Sequence, residues 1–236
     1  MEATNEEVRK RVVVVDGHPI VRDGLTRVLN DQPDLRVCAE VTDAVEVQHA
    51  LDEGVLHADA LIMDLVLGDS NGLDIIRQIR RAHQELPILV FSMHDEAVFA
   101  PRAIRCGASG YVTKGERIEV VLEALRQVLA GGMWVSHAVS DRLLRSLAAQ
   151  SGATPRPTDS PMEVLTDREL EVFGLFGSGL GTKEIATRLG LSAKTVETHR
   201  AHLKEKLGFE RSSELLVAAA RWVRDGRPPP AAPHDA

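Results

Sequence analysis

The sequence predicts an α/β protein, a doubly wound parallel sheet with helices on both faces, followed by a small all-α domain. Short apolar runs typical of buried parallel strands alternate with helical patterns between residues 10 and 130. This alternation indicates five βα units joined by right-handed crossovers. After a stretch rich in Pro, Ser and Thr, the chain changes to consecutive helical patterns separated by glycine turns.

Composition limits the class of protein. A chain of 236 residues with 44% hydrophobic and 27% charged residues suits two globular domains. Without a long apolar run or a signal-peptide pattern, we expect a cytoplasmic protein that does not enter a membrane. The two cysteines, Cys38 and Cys106, lack metal-type spacing and suit a reducing compartment.

The elements of the first domain follow from local patterns. The β-branched run at residues 11–15 ends at Asp16, and Pro19 opens a helix at its favoured first-turn position. The remaining elements are a strand near 37–39, a helix at 44–53, a strand at 60–63 ending at Asp64, a loop and a helix, a strand at 88–91 ending at Ser92, a helix at 96–106, a strand at 110–112 followed by Lys114, and a helix at 116–129.

Four strand ends therefore carry Asp16, Asp64, Ser92 and Lys114, and a flavodoxin-like strand order of 2-1-3-4-5 brings them to one edge of the sheet. Two carboxylates attract a divalent cation with oxygen ligands, most naturally Mg²⁺. An Asp oxygen can act as the nucleophile toward a phosphoryl group while a Lys offsets its charge. Each side chain also has a structural interpretation, as a helix cap, a loop residue or a surface amine. Their convergence favours phosphoryl chemistry.

Helix-capping residues indicate where the helices of the second domain begin. Thr166 to Glu169 forms a capping box, Thr182 is expected to cap a short helix at 183–189, and Ser192 a longer one at 193–207. This order predicts a helix-turn-helix domain, with a plain helical bundle as the alternative. Residues 182–207 carry six basic and three acidic side chains, which favours binding to phosphates.

Charge differs between the two parts of the chain. Residues 162–227 hold 11 Lys and Arg against 10 Asp and Glu, whereas residues 1–161 hold 17 against 24. The overall charge of −7 therefore arises in the first part. The predicted organisation is a disordered N-terminus at 1–9, the α/β domain at 10–131, a linker at 132–161 with a helix near 136–150, the helical domain at 162–225, and a disordered tail rich in Pro and Ala at 226–236.

Four segments resemble the successive blocks of a CheY-like receiver domain: VVVVDGHPIVRDGL, LIMDLVLGDSNGLDII, ILVFSMHD and GASGYVTKG. The resemblance implies Asp64 as phosphoacceptor, with a histidine kinase as phosphoryl donor and Mg²⁺ as cofactor. It implies Asp16 in the metal pocket and Lys114 as the invariant amine. Ser92 would be the switch hydroxyl and Tyr111 the aromatic residue that changes rotamer.

One departure from the receiver pattern concerns the metal pocket. Receivers usually carry a second acidic residue directly after the first, and here that position is Gly17. Because cation affinity follows ligand charge and number, this loss weakens the predicted site. The alternative is a regulator that works without phosphorylation. A transition-metal site using His18 or His94 is disfavoured, because both histidines belong to the usual sequence blocks.

LTDRELEVFGLFGSGLGTKEIATRLGLSAKTVETHRAHLKEKLG resembles a LuxR-type helix-turn-helix domain. With the receiver, it resembles the NarL/FixJ family of response regulators, which implies a transcription factor that binds duplex DNA and is dimeric when active. Residues 193–207 would be the recognition helix and residues 213–224 a helix used in dimerisation. The predicted phosphate contacts are Lys183, Lys194, Thr195 and Lys204, and the predicted base contacts are Thr198 and Arg200.

Two further expectations concern single positions. Glu197 lies where some family members carry Lys, so it would either accept a hydrogen bond from a cytosine amino group or repel phosphate.

We do not expect an enzyme. A phosphatase with an Asp nucleophile usually carries another Asp two residues later, and Val66 occupies that place.

Overall fold

The computed structural model describes residues 9–52, 58–67, 70–150 and 161–225. The predicted disordered segments lie almost entirely outside the described residues. The chain divides into two compact units, residues 1–147 and 148–236, and each unit is described by itself.

The first unit alternates strands and helices. Its elements in chain order are β1 Lys10–Val15, α1 Pro19–Asn30, β2 Leu35–Val41, α2 Ala44–Asp52, β3 Ala60–Met63, β4 Val66–Leu67, β5 Ser70–Asn71, α3 Gly72–Ala82, β6 Ile88–Ser92, α4 Glu96–Cys106, β7 Gly110–Thr113, α5 Ile118–Leu129 and α6 His137–Gln150.

Five strands form one parallel sheet in the order β2-β1-β3-β6-β7, which confirms the predicted doubly wound fold. Strands β3 and β6 are buried along their whole length, as expected for strands covered on both faces. Parallel strands end at the same edge, so the residues after β1 and β3 become neighbours. Asp64 N donates to the Val15 carbonyl oxygen at 2.9 Å.

The segment after β3 differs from the predicted loop. Strands β4 and β5 pair antiparallel over two residues each. A Cβ at Gly72 would lie 2.5 Å from Leu65 Cα, so this close approach requires glycine. The Asn71 side chain then accepts a hydrogen bond from Leu73 N at 3.0 Å and caps α3.

The chain after α5 runs along the sheet edge before α6 begins. Tyr111 N donates to the Trp134 carbonyl oxygen at 2.8 Å, and Trp134 N donates to the Ser109 carbonyl oxygen at 3.1 Å. Ser136 N donates to Glu96 Oε1 at 3.0 Å, which fixes the start of α6 to the first turn of α4. Helix α6 lies where the apolar spacing predicts a linker helix.

The second unit is all helical among its described residues. A 3₁₀ turn at Pro161–Val164 precedes α7 Asp167–Gly177, α8 Thr182–Arg188, α9 Ala193–Leu207 and α10 Ser212–Asp225. The capping box is present, because Glu169 N donates to Thr166 Oγ1 at 3.2 Å and Thr166 N donates to Glu169 Oε2 at 2.8 Å.

The start of α8 corrects one prediction. Gly181, rather than Thr182, is the N-cap residue, and its N–H donates to Glu184 Oε2 at 2.7 Å. Thr182 is the first helical residue, so its hydroxyl is available for a contact outside the helix. Gly190 follows α8 with φ of +62°, a left-handed turn that glycine adopts without strain. The predicted helix-turn-helix arrangement is confirmed.

Candidate functional site

Three of the predicted pocket residues meet at the carboxyl edge of the sheet. Lys114 Nζ lies 2.6 Å from Asp16 Oδ2 and 2.7 Å from Asp64 Oδ2. All three side chains are nearly inaccessible, with 7% of the Lys114 side chain exposed. One ammonium therefore bridges two buried carboxylates and leaves the pocket with a net negative charge.

The other carboxylate oxygens also have partners. Asp64 Oδ1 accepts from Leu65 N at 2.7 Å. Asp16 Oδ1 accepts from His18 N at 2.8 Å and lies 3.1 Å from His18 Nδ1. These contacts fix the orientation of both carboxylates, so the pocket is preorganised.

Ser92 is the last residue of β6, and Tyr111 lies within the neighbouring strand β7. Ser92 is fully buried, and its Oγ has no hydrogen-bond partner among the residues that the structure describes. A buried, unpartnered hydroxyl is costly and calls for a physical explanation. Tyr111 is also buried, and its hydroxyl donates to the His94 carbonyl oxygen at 3.0 Å. Burial raises the pKa of Tyr111, so its hydroxyl remains a donor near neutral pH.

His94 supports the loop that follows β6. Its ring stacks on Phe99 with 4.4 Å between the ring centroids. Burial lowers the pKa of His94, so the imidazole is neutral near pH 7. Because the tyrosine hydroxyl binds the carbonyl of the same residue, this loop is held on two sides.

Gly17 occupies the position at which receivers usually carry a second acidic residue. A Cβ there would lie 3.8 Å from both the Thr42 and the Val66 carbonyl oxygens, which is ordinary van der Waals contact. The backbone at this position therefore has space for a Cβ. Among the described residues, Asp16, His18 and Asp64 offer ligand atoms within 4.8 Å of one another. Two buried carboxylates fit Mg²⁺, which commonly takes one or two protein carboxylates and retains several waters.

The predicted contacts on the helix-turn-helix lie on two helices. Lys183 on α8 and Lys194 on α9 are exposed, and Lys204 is half-buried. Thr195 Oγ1 shares a 2.8 Å hydrogen bond with Ser192 Oγ, and Thr198 Oγ1 donates to the Lys194 carbonyl oxygen at 3.0 Å. The cationic residues of this group thus have their charges near the surface.

Arg200 and Glu197 form a local cluster. The Arg200 guanidinium lies over the Phe176 ring, 5.6 Å from its centroid, and only 24% of the Arg200 side chain is exposed. Its Nη1 is 3.5 Å from Glu197 Oε1, and Thr182 Oγ1 donates to the same oxygen at 2.6 Å. Arg200 is therefore packed against the core rather than extended from the helix.

Sequence reasoning missed one buried ion pair. Glu169 is 3% exposed, and Lys206 Nζ lies 2.7 Å from its Oε2, which joins α7 to α9. Burial acts to raise the pKa of Glu169, but Lys206 and Thr166 outweigh it and hold the pKa below its usual value. The sequence indicates Lys206 only as one of the basic residues of α9. Its position three residues after the buried Leu203 is the signal that it lies near the core, because residues three apart lie on the same face of a helix.

Comparison with known proteins agrees with this geometry. A model described as response regulator receiver domain matches residues 12–126, and a model of bacterial regulatory proteins, luxR family, matches residues 163–219. The oxygen regulatory protein NreC of Staphylococcus aureus is 35% identical over 213 residues, 89% of this chain and 97% of that protein.

Solved structures of response regulators are also similar to this chain. RcsB from Salmonella enterica serovar Typhimurium, bound to promoter rprA in the presence of the phosphomimetic BeF3⁻, is 26% identical with a TM-score of 0.66, over 89% of this chain and 97% of that one. A LuxR-family two-component response regulator from Aurantimonas sp. SI85-9A1 is 34% identical with a TM-score of 0.54, over 59% of this chain and 99% of that one.

A receiver-type pocket followed by a helix-turn-helix domain is the architecture of a two-component response regulator that acts on transcription. The chain belongs to the NarL/FixJ family of these regulators, with a receiver domain and a LuxR-type DNA-binding domain. No helix among the described residues is both long and apolar enough to cross a membrane.

Proposed function

We propose that Asp64 is the phosphoacceptor of this response regulator, and that its phosphorylation by a histidine kinase controls dimerisation and DNA binding by the LuxR-type domain. The observation that carries the proposal is the buried pocket. Lys114 Nζ contacts both Asp16 and Asp64, and the buried Ser92 Oγ beside them has no partner among the described residues.

The chemistry follows from these side chains. An Asp64 oxygen forms a bond to phosphorus as the P–N bond of the donor phosphohistidine breaks, and the leaving imidazole takes up a proton. Lys114 offsets the charge of the transferred group, and the Ser92 hydroxyl donates to one of its oxygens. Asp16 and Asp64 would hold the Mg²⁺ ion, which supplies further neutralisation of the phosphoryl oxygens when bound.

One observation favours a second candidate function, a regulator that does not require phosphorylation. Gly17 provides no carboxylate, and Lys114 already bridges the two that remain. In this case the pocket is a structural feature, and another ligand or partner sets the dimer.

For the output domain, we propose that α9 binds the major groove of duplex DNA. Lys183, Lys194, Thr195 and Lys204 would contact phosphates, and Thr198 and Arg200 would contact base edges. RcsB, a relative with the same fold, is seen bound to promoter DNA and as dimers on DNA. A dimer of this chain would bind a two-fold symmetric site with half-sites about one helical turn apart.

The remaining assignments are also proposals. The protein would act in the cytoplasm as a regulator rather than an enzyme with turnover. Its receiver would span residues 10–131, its linker 132–161 and its DNA-binding domain 162–225.

The decisive experiment treats the full chain with acetyl phosphate and Mg²⁺ and measures its intact mass. We expect a phosphoryl adduct that is absent in Asp64→Asn and present in Asp74→Asn, a control at an exposed carboxylate paired with Arg77. An adduct that persists in Asp64→Asn would show that another residue is the acceptor. No adduct at any Mg²⁺ concentration would overturn phosphorylation control and leave the second candidate function.

A further inference from the structure

The exposed residues of α9 recur at three- and four-residue intervals and so lie on one side of the helix. We call this surface the outer face of α9; it comprises Lys194, Glu197, Thr198, Ala201 and Glu205. The opposite side carries the buried Val196, Leu203 and Leu207. In helix-turn-helix domains, the N-terminal residues of the second helix contact base edges. Glu197 belongs to the second turn, whereas Glu205 lies near the C-terminus.

Glu197 is held by one of its two carboxylate oxygens. Thr182 Oγ1 donates to Oε1 at 2.6 Å, and Arg200 Nη1 lies 3.5 Å from that oxygen. Oε2 forms no hydrogen bond with any residue in the described part of the chain, and 53% of the side chain is exposed. Arg200 is in turn packed over Phe176. The carboxylate is therefore oriented by two residues and presents its second oxygen to solvent.

We infer that Glu197 determines base preference by accepting a hydrogen bond from the N4 amino group of a cytosine in the major groove. This inference rests on the proposed function, in which α9 enters that groove. An ionised carboxylate has no hydrogen to donate. Guanine and thymine present acceptor oxygens there, and adenine places the acceptor N7 beside its amino group. Cytosine presents an amino group alone, so it is the base that suits Glu197.

A purely repulsive role for Glu197 leads to a different expectation. Repulsion of phosphate would weaken binding to every sequence alike, because phosphates carry no sequence information. The nearby Arg200 offsets part of the charge, and Thr182 fixes the direction of the carboxylate. These contacts suit a directed hydrogen bond, and the two roles differ in base selectivity.

The test selects binding sites for the full chain from a pool of randomised duplexes, in low salt with acetyl phosphate and Mg²⁺. Affinity is then measured for the selected site and its three single-base replacements at one salt concentration. We expect a cytosine at one fixed position of each half-site, preferred by about 5- to 150-fold over the other bases.

Substitutions at Glu197 should change the selected base in a defined way. Glu197→Gln should move the preference to adenine, whose amino group and N7 pair with an amide, and Glu197→Lys should move it to guanine. Glu205→Gln, which removes the same charge from the same helix, should keep cytosine. Thr182→Val keeps the carboxylate but removes the shorter of its two supporting contacts, so it should keep cytosine with discrimination reduced severalfold.

Each result decides the inference. An unchanged base preference in Glu197→Gln and Glu197→Lys, or an equal rise in affinity for all four bases, would overturn the role of Glu197 and leave DNA binding intact. Absence of salt-sensitive binding to any duplex would overturn the proposed function as well. Should the Glu197 variants fail to fold, as judged by thermal melting, undiminished discrimination in Thr182→Val would itself overturn the inference.

Discussion

The receiver pocket and the outer face of α9 each place a carboxylate beside a cationic side chain, but they do so in opposite environments. In the pocket, Lys114 bridges Asp16 and Asp64, and all three side chains are removed from water. On α9, Glu197 is 53% exposed and 3.5 Å from Arg200. A carboxylate and a cationic side chain in contact therefore have different energetic consequences in the two units.

Burial accounts for this difference. An exposed ion pair contributes about 0 to 1 kcal/mol because water and salt screen it, and breaking it costs little stability. A buried pair is costly to break, because the remaining charge loses its partner in a medium that solvates it poorly. We therefore expect a change of charge in the pocket to alter stability strongly, and a change of the exposed residues of α9 to have little effect on folding.

The largest expected effect comes from Lys114→Met. It leaves two buried carboxylates without their bridging ammonium, and we expect the first unit to lose about 3 kcal/mol of stability. Hydrogen exchange of β1 in increasing urea measures this unit separately. Mg²⁺ should recover part of the loss, because the cation replaces the missing positive charge.

A matched control tests whether burial is the cause. Lys10→Met removes a 4.0 Å pair with Asp59 in which 56% of the Lys10 side chain is exposed. We expect a change below about 0.5 kcal/mol. Equal losses of stability in Lys114→Met and Lys10→Met would show that burial does not determine how much an ion pair contributes.

Lys206→Met should produce the next largest effect, in the second unit. Its Nζ contacts the buried Glu169, but 35% of the Lys206 side chain is exposed. We therefore expect a loss of about 1 to 2 kcal/mol, less than for a fully buried pair. Hydrogen exchange of α7 measures it, with Lys194→Met as the exposed control on the same helix.

The pH dependence of this pair has a defined sign. The folded-state pKa of Glu169 is lowered, so the unfolded state binds its proton more tightly. The stability from Glu169 is present above its unfolded pKa of about 4.5 and is lost as pH falls through the lower folded value. Lys206→Met should flatten the stability curve below about pH 4.5. An unchanged slope would show that another group causes the acid sensitivity.

Much of the fold was predictable because its signals are local. The apolar runs that end at Asp16, Asp64 and Ser92 predict the βα units, and the flavodoxin-like strand order then brings these side chains to one edge. The two-residue pairing of β4 and β5 was not predictable, because it depends on the close approach of Gly72 to Leu65, which lie seven residues apart.

The side-chain partners were harder to predict than the elements. Thr182 has the residue type of a helix cap, yet Gly181 takes that position and Thr182 contacts Glu197, fifteen residues later. The packing of Arg200 on Phe176 depends on how α7 and α9 cross, and its predicted base contact stays a prediction. Both outcomes depend on tertiary contacts that a single sequence does not specify.

Gly17→Asp tests how far the missing carboxylate weakens the pocket. The added Cβ meets only ordinary contacts at 3.8 Å, so the fold should accept it. A third negative charge should raise Mg²⁺ affinity on the order of tenfold, as measured by isothermal titration calorimetry. Gly24→Asp, where a Cβ meets nothing within 4 Å, adds the same charge on α1 and should leave the affinity unchanged. A similar gain in both variants would indicate general electrostatics rather than ligation.

The smallest expected effect on stability belongs to Glu197→Gln. The exposed carboxylate is replaced by an amide of the same shape that can still accept the Thr182 hydrogen bond, so we expect a change within about 0.5 kcal/mol by urea unfolding. A loss above about 1.5 kcal/mol would place Glu197 with the buried pairs and make it a structural residue of the turn between α8 and α9. A change in stability near zero, together with an altered base preference, would instead show that DNA recognition and folding are independent at Glu197. In the receiver pocket, by contrast, we expect function and folding to be coupled.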